Sequence, residues 1–245
     1  MNQQLFENLC TEFSNYERIR SGIGTLSEKT IHALLKDYMD SNPLHQEQPF
    51  HGYIADIYDG SAIVEIQTRS FDRLRNKLDV FLKEVPVTIV HPIPHTKWLL
   101  WIDEETGEVF SKRKSPKIGN PNCAMPELYR IKTFLKNPNL HLHFIFLDIE
   151  EYRLLNGWSS DKKKGYTRQE RLPLHCSYEL TIDTIEDYKK FLPPDLPSPF
   201  TSKDYHKAAK VSLSCAQTSL NILTYMDVVM RIGKNGNAIL YEKSW

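Results

Sequence analysis

The apolar positions of this chain change period along its length, and the changes mark out its elements. Leu5, Phe6, Leu9 and Phe13 recur at helical spacing, which predicts an amphipathic helix over residues 1–20. SGIGT (21–25) reads as a turn. Ser27 then opens a second helix reaching about residue 40, with Ile31, Leu34, Leu35 and Tyr38 on its apolar stripe and Asn42-Pro43 as its stop. From residue 51 the period drops to two. HGYIADIY (51–58) and SAIVEIQT (61–68) are predicted strands, and Asp59-Gly60 between them is a dipeptide favoured by two-residue hairpin turns. Helical spacing returns in SFDRLRNKLDVFLKEV (70–85), where Phe71, Leu74, Leu78, Phe81, Leu82 and Val85 form one face and Arg73, Arg75, Lys77 and Lys83 lie off it.

VTIVHPI (87–93) and KWLLWI (97–102) predict two further strands, with Trp98 and Trp101 expected in the core. Glu105-Thr106-Gly107 reads as a turn and SKRKSPKIGNPN (111–122) as a basic loop. A helix over 126–136 and an apolar strand, HLHFIFLDI (141–149), complete an α/β order around a mixed sheet flanked by helices. Beyond residue 156, NGWSSDKKKGYTRQERLP reads as a basic arm, and FLPPDLPSPF (191–200), with four prolines, as a stiff linker. The last stretch has its own rhythm: a capped helix from Ser202, a second helix through 214–226, and a Lys234-Asn235-Gly236-Asn237 turn between two strands. The expected domains are therefore 1–155, a connecting arm and linker over 156–200, and 201–245.

Composition narrows the function classes. The 245 residues are 40% apolar, enough for a packed core. Thirty-one Lys and Arg balance 31 Asp and Glu, so any contact with nucleic acid must come from local basic patches such as Lys112-Arg113-Lys114 and Lys162-Lys163-Lys164. No apolar run reaches membrane-spanning length, and the polar start MNQQLFENLCTEF is unlike a signal peptide. Cys10, Cys123, Cys176 and Cys215 are far apart with no CxxC pair, and His91, His95, His141 and His143 lack zinc-ligand spacing. A reducing, cytoplasmic protein without membrane contact is expected.

The candidate chemistry lies in the hairpin. With Asp59-Gly60 as a two-residue loop, Tyr58 faces Ser61, Asp56 faces Ile63 and Ile54 faces Glu65. Side chains alternate along a strand, so Asp56, Glu65 and Gln67 share one side, with Ile54 and Ile63 beside them. Asp56 and Glu65 are then diagonal neighbours, about 7–8 Å apart along the backbone. Two such carboxylates can hold one hard divalent cation, Mg²⁺ or Mn²⁺, with the Ile66 carbonyl as a third ligand and water completing the shell.

The stretch ADIYDGSAIVEIQTR, D-x₈-E-x-Q on strand-turn-strand followed by a basic helix, resembles the PD-(D/E)xK nuclease superfamily, the restriction-endonuclease-like fold. The resemblance covers roughly residues 25–150. It implies Mg²⁺-dependent hydrolysis of a phosphodiester. Asp56 and Glu65 would bind the metal, and Glu28 of the preceding helix would supply the acidic residue often found near it. Gln67 stands where this superfamily usually has lysine and would position the attacking water. The missing positive charge falls to Arg73, Lys77, Lys97, Lys114 or Lys117, which would also meet the DNA backbone. Residues 201–245 resemble a winged helix-turn-helix. By position, Ser214, Gln217, Thr218 and Asn221 would enter the major groove, and Arg231, Lys234 and Asn237 would lie on the wing. Leu220, Ile222, Leu223 and Tyr225 are expected in its core.

The expected activity is a Mg²⁺-dependent DNA endonuclease positioned on DNA by a winged helix, with DNA as partner and homodimerisation left open. The competing expectation is a nuclease-like protein that binds DNA without cutting it, or a transcriptional regulator.

Overall fold

A computed structural model describes residues 2–20, 27–103, 106, 108–154 and 166–245, with side chains at 14–20, 27–29 and 167–170 outside the description. The elements in chain order are α1 (Gln3–Arg20), α2 (Ser27–Met39), β1 (Gln46–Phe50), β2 (Tyr53–Tyr58), β3 (Ile63–Ile66), α3 (Arg75–Phe81), β4 (Val87–Ile102), β5 (Val109–Lys114) and α4 (Met125–Arg130). After these come β6 (Leu140–Leu154), β7 (Thr167–Ile182), α5 (Ser202–Ala208), α6 (Leu213–Tyr225), β8 (Val229–Asn235) and β9 (Ala238–Lys243). Short 3₁₀ turns precede α3 and α4 and follow α4 and β7.

Seven strands form one mixed sheet in the order β1-β2-β3-β4-β6-β7, with β5 added to β4. β3, β4 and β6 run parallel to one another, while β1–β2, β2–β3, β4–β5 and β6–β7 are antiparallel pairs. Helices cover both faces. On one side Phe6, Cys10, Ile31, Leu34 and Leu35 of α1 and α2 pack on Ile66, Val90, Ile145, Leu147, Ile149 and Cys176. On the other, α3, α4, α5 and α6 close a larger core over Ile63, Ile89, Ile93, Phe144 and Phe146. Strands buried on both faces read as near-continuous apolar runs, which is how β6 appears in the sequence.

Several expectations need correcting. Residues 87–93 and 97–102 are not two strands but one, β4, because β6 pairs along its whole length. Its prolines fit for a positional reason. The Val90 carbonyl accepts from Gln67 N–H, so even-numbered residues there turn their amides toward the β3 edge. Between the partner of β3 and the start of β5 no strand among the described residues pairs that edge, so Pro92 and Pro94 lack donors where none is needed. Residues 111–114 are not loop but part of β5, paired with the far half of β4 on that same edge. The two tryptophans, expected in the core, are half-buried, because this end of β4 runs past the helical layers. The helix expected over 126–136 breaks after Arg130 into a 3₁₀ turn.

The hairpin is also different. Ile57 pairs with Val64 and Tyr58 with Ile63, so the loop has four residues, 59–62, rather than two. Asp59 is the cause. Its Oδ1 accepts from the N–H groups of Ser61 at 2.7 Å and Ala62 at 2.9 Å and from the Ser61 hydroxyl at 2.8 Å, closing a wider turn over Gly60 at φ +93°. The shift is two positions, and the pairing ends at Ile57 and Val64, one residue short of Asp56 and Glu65.

The stretch 156–200, expected as a basic arm and linker, contains a long strand: residues 167–182 form β7, antiparallel to β6 from Leu142↔Ile182 to Leu154↔Thr167. Nor does 191–200 behave as a free linker, since Phe191, Leu196 and Phe200 are buried in the larger core and Phe200 bridges to Tyr241. The 21–25 turn and the Lys162–Lys164 run lie outside the described residues, as does most of the 105–107 turn. Among the described residues no helix is long and apolar enough to cross a membrane.

The loop after β5 returns tightly against β4. Gly119 N–H donates to the His95 carbonyl at 2.9 Å, and a Cβ built on Gly119 would lie 2.1 Å from the Pro94 carbonyl oxygen. Both partners are backbone and cannot swing aside. Gly119→Ala is expected to cost about 1–3 kcal/mol through overpacking, read as a lower urea midpoint at unchanged slope.

Candidate active site

Past Ile57 and Val64, β2 turns to β1 and β3 to β4. Residues along a strand alternate the edge to which they turn their amides, so Ile66, neighbour of the β4-bonded Gln67, faces β2. There its N–H meets a side chain: Asp56 Oδ2 accepts it at 2.7 Å. The Ile66 carbonyl shares that edge. A cleft of about 510 Å³ opens at this point, lined by Asp56, Glu65, Gln67, His32, Arg73 and Lys77 among others. Asp56, Glu65, Ile66 and Gln67 thus line one cleft, with Asp56 reached by His32 of α2 and Glu65 by Lys77 of the helix α3.

α3 crosses above this strand end and drops Lys77 into the cleft. The ammonium group uses its three donors on Glu65 Oε1 at 2.9 Å, Glu65 Oε2 at 2.8 Å and the Ile54 carbonyl at 2.6 Å. Glu65 is 2% exposed. Burial and the neighbouring charge of Asp56 push its carboxyl up to about 7, against the pull of Lys77. Asp56 behaves oppositely. Burial alone would raise it, but His32, the Ile66 N–H and the Lys77 charge hold it below the usual carboxylate range. Two adjoining carboxylates thus divide into one ionised and one partly protonated group.

Two histidines brace the arrangement. His32 Nε2 donates to Asp56 Oδ2 at 3.3 Å. Sequence reading missed it, although it stands one helical turn after Glu28 on α2. His91 is buried, which lowers its proton affinity. Its Nδ1 donates to the Gln67 carbonyl at 2.5 Å, and Phe71 meets its ring edge-on at 5.0 Å. The Gln67 amide donates to the Ser70 carbonyl at 2.7 Å, which fixes its plane. The apolar pair expected beside the carboxylates is divided: Ile63 is fully buried, whereas Ile54 is 50% exposed.

The basic candidates separate. Lys77 and Arg73 line the cleft. Lys97 and Lys117 line a different cavity, and Lys114 lies near the Trp98 ring. The side chain of Glu28 is outside the described residues. In the C-terminal part, Ser214, Gln217, Arg231, Lys234 and Asn237 are exposed and Thr218 is half-buried. Asn221 turns inward, its Oδ1 accepting from Lys132 Nζ at 2.7 Å. Leu220, Ile222 and Leu223 are buried, while Tyr225 is half-buried beneath Lys132 and Lys136.

A family model described as a domain of unknown function, DUF8091, matches residues 29–183. That stretch takes in α2 through β7, and with them the whole main sheet and the cleft. An uncharacterized protein of Treponema pallidum (strain Nichols) is 28% identical over 168 residues, covering 68% of this chain and 64% of that relative. The chain therefore matches less than two thirds of the relative's length. No solved structure matches.

Proposed function

The chain belongs to the DUF8091 family, and we propose that this member is a restriction-endonuclease-like, divalent-metal-dependent hydrolase of DNA phosphodiesters. The observation that carries the reading is the convergence of Asp56, Glu65, Gln67 and Lys77 on one cleft. Lys77 takes the place of the lysine that Gln67 displaces from the strand. The mixed sheet and the basic helix after the hairpin agree with that architecture.

The donor set suits Mg²⁺ or Mn²⁺. It consists of oxygens alone, from Asp56, Glu65 and the Ile66 carbonyl. Among the described residues no group of three His, Cys, Asp or Glu is placed to hold a metal ion, so water would have to complete the shell, which Mg²⁺ accepts. Two neighbouring carboxylates, one driven toward protonation by burial and then by the charge of the other, also form a site that a cation relieves. Once bound, the ion would supply charge neutralisation on the phosphate and acidify a water molecule.

The chain's own residues do the rest. His32 and the Ile66 N–H orient Asp56. His91 holds the strand end, and Ser70 fixes the Gln67 amide, leaving its oxygen to accept a hydrogen bond from water and so position it. Lys77 brings positive charge to the developing anion. The C-terminal α5, α6 and β8–β9 hairpin would serve as a winged helix presenting Ser214, Gln217, Arg231, Lys234 and Asn237 to DNA.

The full chain is expected to nick or cut plasmid DNA with Mg²⁺ or Mn²⁺ and not with EDTA. Asp56→Asn, which keeps an acceptor for Ile66 N–H, should abolish cleavage while the thermal melt stays cooperative. Cleavage at the wild-type rate in that variant would move the chemistry elsewhere. One observation favours the rival, non-cutting DNA-binding reading: Lys77 gives two of its three donors to the carboxylate that a metal needs. DNA binding without cleavage under either metal would decide for it.

A further inference from the structure

The two carboxylates of the cleft are engaged differently. Glu65 is enclosed, and both of its oxygens accept from Lys77 Nζ, at 2.9 and 2.8 Å, with the Asp56 backbone N–H close by. Asp56 uses only one oxygen. Its Oδ2 accepts from the Ile66 N–H and from His32, while its Oδ1 has no hydrogen-bond partner among the described residues. A cation shared by the pair would therefore meet an open oxygen on Asp56 and, on Glu65, two oxygens already engaged by an ammonium group.

Lys77 and a divalent ion are thus alternative counter-ions for Glu65. Two cations beside one enclosed carboxylate repel strongly, because little water screens them. Lys77 is able to leave. Its charge rides on a flexible four-carbon stem, and its side chain is 23% exposed. Its third bond, to the Ile54 carbonyl at 2.6 Å, is to a neutral acceptor. Off Glu65, however, the ammonium would stand in a largely enclosed place without an anion, which is costly. A phosphodiester entering the cleft supplies that anion. Arg73, which lines the same cleft, is exposed and has no partner among the described residues, so it adds a second cation to receive the phosphate.

We propose that Lys77 is the counter-ion of Glu65 in the free protein and yields that carboxylate to a divalent metal only when a phosphodiester takes over its ammonium, so that metal and substrate enter the cleft together. The inference rests on the metal-site part of the hydrolase reading and adds the condition under which that site forms. It also accounts for the feature that otherwise favours a non-cutting protein, since the bonds from Lys77 to Glu65 then belong to the protein before substrate arrives. A purely structural ion pair would enclose Glu65 and Lys77 equally well. It would give no reason for a second carboxylate with an open oxygen beside the first.

The test is Mn²⁺ binding by the full chain at one fixed pH, read as loss of the free-ion signal in electron paramagnetic resonance, with and without excess dimethyl phosphate as a simple phosphodiester anion. Dimethyl phosphate is expected to tighten Mn²⁺ about tenfold, within the usual range for coupled sites. In Lys77→Met that factor should fall to about threefold or less, the remainder coming from direct attraction between ion and phosphate. Lys77→Arg, which keeps the charge, should restore most of the coupling. Wild-type protein that binds Mn²⁺ equally with and without dimethyl phosphate, or a factor undiminished in Lys77→Met, overturns the exchange and leaves the hydrolase standing. Mn²⁺ bound under neither condition overturns both. Coupled binding that depends on Lys77, without metal-dependent cleavage of DNA, supports the exchange and removes the hydrolase alone.

Discussion

Replacing Lys77 with methionine is expected to lower metal-dependent cleavage by about 10²–10³-fold, the usual cost of losing one preorganised charge at a reacting centre. The argument begins with burial. Glu65 is almost wholly enclosed, and Lys77 supplies two hydrogen bonds and the opposing charge. Removing one partner of a buried pair costs about 3–5 kcal/mol if the other stays ionised. Glu65 can avoid that by taking a proton, and at about 7 it is already close to doing so at neutral pH. The variant therefore folds with Glu65 neutral, and a metal ion must displace that proton to bind.

This gives a second readout. Wild-type cleavage should rise with pH to about 7 and level off as Glu65 ionises. In Lys77→Met the rise should move to higher pH, recovering part of the activity there, and Lys77→Arg should stay nearer wild type. Loss of activity by the same factor at every pH would reduce Lys77 to a packing residue. Stability follows with a worked sign. The native state holds the Glu65 proton more tightly than the unfolded chain, where the carboxyl sits near 4.5. The contribution of Glu65 is thus complete below 4.5 and is lost as pH rises through about 7. Asp56, held below its usual range, contributes in the opposite direction.

How much of this site could be read in advance depends on whether each feature is local. Alternation along β3 puts Glu65 and Gln67 on the side of Ile63, but Ala55 shares that core too, so Asp56 comes to the cleft from the α2 side of β2. The register itself was hidden, because it turns on the Asp59 side chain accepting three hydrogen bonds rather than on the Asp-Gly dipeptide. Which basic residue serves the cleft depends on where α3 crosses β3. Five candidates were equivalent in sequence, and only Lys77 and Arg73 line the cleft. His32 stayed invisible because its partner Asp56 lies 24 positions away on another element. β7 was obscured by charged residues in TRQER, although its later half carries the buried Cys176 and Ile182. The tryptophans were misplaced because an apolar run does not reveal where the covering helices stop.

Ending the chain at residue 200 is expected to abolish cooperative folding rather than release an intact sheet domain. The sequence marks a boundary there with prolines, but the core does not stop at it. Ala216, Leu220, Ile222, Leu223 and Met226 are fully buried in the same cluster as Met125, Leu128 and Phe144. The Tyr205 hydroxyl, also enclosed, donates to Asn122 Oδ1 at 2.6 Å and lies 2.9 Å from the Phe191 carbonyl, tying α5 to two earlier segments. Exposing the partners of several large apolar side chains forfeits about 1.5–3 kcal/mol each. A domain's whole stability is only about 5–15 kcal/mol. The loss is therefore expected to exceed what the shortened chain has, giving a non-cooperative melt and bound hydrophobic dye. A milder probe keeps the chain intact: Tyr205→Phe leaves the Asn122 oxygen without its donor and should cost about 1–3 kcal/mol. If residues 1–200 instead melt cooperatively near the full-length midpoint, the C-terminal elements are a separable attachment, and the buried side chains of α6 add little to the sheet.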